Sequence, residues 1–112
     1  MPRPPLELLH GTLDVLILKA LEAEPRHGYE IVRHIDQSTN GAVTIEDGSL
    51  YPALYRLERR GLIKGDWGVS DAGRRARFYR LTAKGGKALA AQTATWEKFA
   101  AGVSRLLLRP RS

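Results

Sequence analysis

Asp47-Gly48-Ser49-Leu50-Tyr51-Pro52-Ala53-Leu54-Tyr55-Arg56-Leu57-Glu58-Arg59-Arg60-Gly61 is the stretch on which the reading of this 112-residue chain turns. Leu50, Ala53, Leu54 and Leu57 fall at i, i+3, i+4 and i+7, the spacing of one buried helical stripe. Ser49, Tyr51, Pro52, Tyr55, Arg56 and Arg59 are left on the outer surface. The expected start is near Asp47 or Ser49, either of which can accept from the free N–H groups of a first turn. Pro52 is tolerable close to that first turn, and Gly61 suits a helix stop.

Downstream, Leu62–Gly68 and Ala76–Leu81 read as two strands joined by a polar, mobile segment rich in arginine, Val69–Arg75. Upstream, apolar residues from Leu6 to Ala23 recur at helical spacing, with Val15 and Leu18 greasing a second flank. Pro25 breaks that helix, and a second is expected from Gly28 to Ser38, with Ile31, Val32 and Ile35 inward. Asn40-Gly41 suits a positive-φ stop after it. Three helices followed by a β-hairpin is the order of a winged helix-turn-helix, mainly α with a small hairpin.

Charge is concentrated in this region. The chain has 18 Lys+Arg against 12 Asp+Glu, net +6. Ten of those bases and only three of the acids lie between residues 56 and 87, so the remainder is close to neutral. A helix for the major groove beside a basic hairpin for flanking phosphates is a way of reading duplex DNA. Candidate contacts are Tyr29, Ser49, Tyr51, Pro52, Tyr55, Arg56 and Arg59 on the helices, and Arg74, Arg75 and Arg77 on the wing. Alternatives stay open for several. Tyr29 and the other tyrosines suit helix packing as well, Arg56 a salt bridge to Glu58 or Glu46, and the wing arginines a solvated surface.

Thr82 is placed to cap a last helix, Ala83–Leu108, with Gly85-Gly86 loosening its first turn. Leu89, Trp96, Phe99, Val103 and Leu106 follow each other in steps of seven, three and four, the seam of a helix that packs along a partner. With the domain core expected to be complete without this helix, its natural partner is the same helix of a second subunit. Leu6, Leu9 and Leu13 join those five as the expected dimer interface. If the subunits leave a gap, Leu9, Val15, Trp96, Phe99 and Val103 would line a pocket for a small flat aromatic ligand. The expected domains are a disordered lead at 1–5, a DNA-binding unit at 6–82, a dimerisation helix at 83–108 and a disordered tail at 109–112.

Other classes find little support. There is no cysteine, hence no disulfide framework or thiolate site, and His10, His27 and His34 lack a carboxylate cluster that would make a metal centre. His27 beside Gly28 reads as a cap or turn residue. No nucleophile–base pair or phosphate-cradling loop marks an enzyme, and no cofactor is implied. The lack of cysteine fits a cytoplasmic protein, the location expected, and no apolar run reaches a membrane span.

At these residues the chain resembles the PadR family of bacterial transcriptional regulators, specifically its compact branch with a single C-terminal helix. Gly11-Thr12-Leu13-Asp14-Val15-Leu16-Ile17-Leu18-Lys19-Ala20-Leu21, His27-Gly28-Tyr29-Glu30-Ile31, Gly48-Ser49-Leu50-Tyr51-Pro52-Ala53-Leu54 and Gly73-Arg74-Arg75 with Tyr79-Arg80-Leu81-Thr82 carry the resemblance, in order and at similar spacing. It implies a homodimeric repressor on a roughly palindromic operator, with a small aromatic effector as an option. A winged-helix protein-interaction module and a small-molecule carrier are the rival readings.

Overall fold

The computed structural model describes the backbone of residues 6–111 and the side chains of residues 11–111. The expected lead at 1–5, the side chains of Leu6 and Leu9, and Ser112 lie outside it. Four helices and three short strands follow in the order α1 (Leu6–Ala20), β1 (Arg26–His27), α2 (Gly28–Ser38), α3 (Asp47–Arg59), β2 (Ile63–Val69), β3 (Arg75–Leu81) and α4 (Ala83–Leu107).

The core forms where the helical stripes converge. Ile17, Leu18 and Leu21 from α1 and its exit meet Ile31 and Ile35 of α2, and all close on Leu50, Ala53, Leu54 and Leu57 of α3. The four α3 side chains are at most 1% exposed, as their spacing requires. Each buried leucine among them contributes about 1.5–3 kcal/mol through removal of apolar surface from water. Leu62, Ile63 and Tyr79 extend the core to the base of the hairpin.

Helix ends follow their local chemistry. The His27 side chain accepts from Glu30 N, while the Glu30 carboxylate accepts from His27 N, a reciprocal cap on α2. Asn40 (φ 51°) and Gly41 (φ 77°) take the left-handed conformations expected after α2, and Gly61 (φ 75°) does so after α3. At α3 the expected cap does not form from Asp47 or Ser49. Glu46 is the N-cap residue and its backbone carbonyl accepts from Ser49 N and Leu50 N, so both expected residues fall inside the first turn.

The sheet has one strand more than the hairpin, in the order β1-β3-β2. Arg26 and His27 pair antiparallel with Tyr79 and Phe78, while β2 and β3 run in register from Ile63↔Leu81 to Val69↔Arg75. Arg26 also donates from Nε to the Ala20 carbonyl at 2.7 Å, which closes the C-terminus of α1 three residues earlier than its apolar pattern suggests. The wing tip is a hydrogen-bonded turn. Ser70 N donates to Arg74 O at 2.8 Å and Gly73 N to Ser70 O at 2.8 Å, with Gly73 at φ 77°.

The core is not complete without α4. Leu89 is 4% exposed within its own protomer and Ala88 packs against the same cluster, so Leu89 serves the domain and not a seam between subunits. Gly85 explains how α4 comes so close, because a Cβ there would collide with the Leu62 carbonyl oxygen. Thr82 caps the helix by accepting from Gly85 N at 3.0 Å, and Thr82 N bonds to Leu62 O at 3.1 Å. Beyond this junction the second half of α4 leaves the domain.

Candidate nucleic-acid interface

Helix α3 buries one stripe and presents another. Tyr51, Tyr55 and Arg59, four residues apart, share the exposed side, the tyrosines at 53% and 63% exposure. Arg59 stacks over the Tyr55 ring at 5.7 Å from its centroid, which holds a cation on the outward face. The Tyr51 ring reaches back over the start of α2, where a Cβ on Gly28 would lie 2.9 Å from the phenol oxygen. Glycine is thus required at Gly28 for Tyr51 to lie there. Next to it Tyr29 is 70% exposed. Pro52 is exposed and Ser49 half-buried on the same first turns.

Arg56 sits on the flank of α3 facing α1. Its Nη2 donates to Asp14 Oδ1 at 3.2 Å, with the Arg56 side chain still 43% exposed. The salt-bridge alternative for Arg56 is therefore made, with Asp14 as partner in place of Glu58 or Glu46.

Glu58 is occupied by the wing. It accepts from Arg77 Nη2 at 2.7 Å and from Gly65 N at 3.1 Å, clasping β3 and β2 to α3 together. Arg77 reaches it by crossing Gly65, where a Cβ would fall 2.5 Å from Arg77 Nε. The hydrogen bond to Glu58 raises the Arg77 pKa above its ordinary value, so the cation is permanent. Arg77 is thus a brace between helix and wing, while Arg74 and Arg75 stand exposed at the tip. Burial pushes the Tyr79 phenol above its ordinary 10.0, an effect that Arg77 opposes.

Opposite faces of the wing differ. Phe78 packs across Gly68 and meets His27 edge-on at 5.3 Å, and Arg80 pairs with Asp66 at 3.6 Å. The other face starts in the core at Ile63, Leu81 and Tyr79 and runs outward to Trp67, Val69 and Arg75. Trp67, at 59% exposure, had no place among the expected contacts. Its signal was the alternation along β2, which places it on the α3 side beside the arginines. The pairings of Asp14 with Arg56 and of Glu58 with Arg77 were likewise missed, since the partners lie 42 and 19 residues apart in sequence.

Along α4 the expected dimer and pocket residues divide. Leu13 and Val15 pack partly buried against the core. Trp96, Phe99, Val103 and Leu106 are 48%, 57%, 36% and 69% exposed, and the Trp96 and Phe99 rings lie 6.1 Å apart.

A helix-turn-helix whose second helix presents a tyrosine–arginine stripe, flanked by an arginine-tipped hairpin, defines a winged-helix DNA-binding regulator. Residues 17–91 match the transcriptional regulator PadR-like family, and the chain belongs to that family. A protein of Lysinibacillus sphaericus is 35% identical over 91 residues, spanning 80% of this chain and 83% of that one. Among solved structures, a transcriptional regulator from Clostridium thermocellum is 30% identical, covering 88% of this chain and 96% of its own, with a TM-score of 0.79. A PadR-like transcriptional regulator from Bacillus cereus is 28% identical over 94% of this chain and 99% of its own, with a TM-score of 0.78. The chain is accordingly a regulator of transcription and not an enzyme. Among the described residues no helix is long and apolar enough to cross a membrane.

Proposed function

We propose that the protein is a homodimeric repressor that reads a roughly palindromic operator in the cytoplasm, with residues 6–82 as the DNA-binding unit and 83–108 as the dimerisation helix. The observation that carries this reading is the exposed Tyr51–Tyr55–Arg59 stripe of α3 set beside a wing with Arg74 and Arg75 exposed at its tip. In this assignment α3 enters the major groove, Ser49 and Pro52 approach with its first turns, and Tyr29 meets the backbone at the start of α2. Arg56 reaches a base edge by leaving Asp14, and Arg77 acts through Glu58 to hold the wing at the correct distance.

Dimerisation is supported by the outer half of α4. Trp96, Phe99, Val103 and Leu106 form an apolar strip that stays 36–69% exposed among the described residues. Two-fold symmetry then sets the recognition helices about 34–36 Å apart or at a multiple of it. Selection of bound sequences from random duplex DNA tests the whole reading. A palindromic consensus with that spacing is the expected outcome. Binding of equal strength to all sequences, or to none, favours the protein-interaction alternative.

The neighbouring Trp96 and Phe99 rings favour one addition, release by a small flat aromatic ligand held between subunits near Val15 and Val103. Titration with planar aromatic dyes should quench Trp96. Absence of quenching at high micromolar dye removes this addition and leaves the DNA reading untouched.

A further inference from the structure

The wing carries a ladder of charged and aromatic groups that runs from α3 to its tip. Glu58 holds the Arg77 guanidinium at 2.7 Å, and that guanidinium lies 5.9 Å from the centre of the Tyr79 ring and 5.8 Å from that of Trp67. Trp67 in turn carries the Arg75 guanidinium at 4.6 Å. All of the wing members share one face of the hairpin, since Trp67 stands opposite Arg77 and Val69 opposite Arg75.

The rungs differ in what satisfies them. Arg77 has a carboxylate partner, whereas Arg75 has no ion pair among the described residues. Trp67 is too exposed, at 59%, to be a core residue, and its ring is the surface on which Arg75 rests. The contact with the indole gives Arg75 no acceptor, and its guanidinium N–H donors, with no carboxylate partner among the described residues, are the set that matches a phosphate bidentately. A freely rotating arginine must be ordered when it binds. One already laid on an indole loses less freedom.

We propose that Trp67 and Arg75 form a composite contact for a backbone phosphodiester of duplex DNA, with Trp67 as the positioning residue for the Arg75 guanidinium. This rests on the DNA-binding reading above and assigns within it a residue that the recognition helix does not supply. The contact recognises the phosphodiester itself, so it operates on any sequence.

Sequence independence makes mixed-sequence duplex DNA at low salt a sufficient probe. The chain has two tryptophans, Trp67 and Trp96, so a Trp96→Phe background leaves Trp67 as the sole indole reporter. Anisotropy of the labelled duplex reports binding independently. Trp67 emission should change in step with that anisotropy. Trp67→Ala should weaken binding about three- to fivefold, and Trp67→Phe, which keeps a ring, should recover most of the loss. In an Arg75→Ala background, Trp67→Ala should cost less than about 1.5-fold, because the residue acts through Arg75. Unchanged affinity in Trp67→Ala, or an equal loss with and without Arg75, overturns the proposal while duplex binding stands. If the parent chain binds no duplex at low salt, the DNA reading falls and this contact falls with it.

Discussion

Gly85 and Gly86 are adjacent residues of α4 at which the same substitution should have opposite effects. At Gly85 an alanine Cβ would collide with the Leu62 carbonyl oxygen and lie 2.8 Å from Leu81 Cδ1. The obstacle is mainly backbone, held by the Thr82 N–H bond to that carbonyl and by Thr82 Oγ1 donating to Gly61 O at 2.6 Å. It cannot rotate aside, so α4 must back away. Overpacking of this kind costs about 1–3 kcal/mol, and weakening the Thr82–Leu62 bond adds about 1 kcal/mol. The better helix propensity of alanine returns about 1 kcal/mol. The net expectation for Gly85→Ala is destabilisation by about 1–3 kcal/mol. At Gly86 the nearest atom, Leu81 Cδ2, is 4.0 Å from the new methyl. Only the propensity gain remains there, so Gly86→Ala should stabilise by about 0.5–1 kcal/mol. Urea unfolding at one fixed protein concentration measures both, because the proposed self-association would link stability to concentration. Gly85→Ala as stable as the parent, or both variants shifted in the same direction, would refute the close approach of α4 to Leu62.

Four further outcomes follow from the interface and its supports. Asp14→Asn releases Arg56 from its carboxylate, and since a partly exposed ion pair is worth about 0–1 kcal/mol, DNA affinity should rise by up to about fivefold; a loss of affinity in anisotropy titrations counts against Arg56 as a groove contact. Arg56→Ala should cost about 1–3 kcal/mol and relax one base preference, to be compared across single-base operator variants. Tyr79 has its folded pKa raised above 10.0, so its contribution to stability is complete below that value and is lost as pH rises through the folded pKa. Relative to Tyr79→Phe, the parent should therefore lose stability as pH rises above 10, and parallel curves across that range contradict a buried, protonated phenol. Trp96→Glu should weaken self-association at least about tenfold in sedimentation equilibrium while the wing and recognition helix stay folded.

The recognition helix was legible because Leu50, Ala53, Leu54 and Leu57 combine a helical period with a bounded stop at Gly61. Local backbone chemistry was equally readable at Asn40-Gly41 and at Thr82, where a single residue type decides the geometry. Strand β1 was not. Two residues after Pro25 carry no periodicity, and Arg26 and His27 become a strand only through pairing with Tyr79 and Phe78. The ion pairs were hidden for a related reason. Charge counting marks Arg56 and Arg77 as basic without indicating that α1 brings Asp14 to one and α3 brings Glu58 to the other. Leu89 fits the heptad spacing of α4 and also the core, and the depth of packing, set by Gly85, places it in the core. Exposed aromatics divide in the same way. Tyr51 and Tyr55 stood out because they share a helix with arginines, whereas Trp67 gains its significance from a neighbour across the hairpin.

The close packing of Gly85 on Leu62 also gives α4 the mechanics of a lever. Its fulcrum lies at the base of the wing, and its long arm from Leu89 to Leu106 extends about 25 Å at 1.5 Å per residue. A tilt of about 10° at the fulcrum moves the far end by about 4 Å, more than the roughly 3.4 Å rise of one base pair. In the proposed dimer, two chains joined along these arms, the seat of one glycine would govern how far apart the two α3 helices stand.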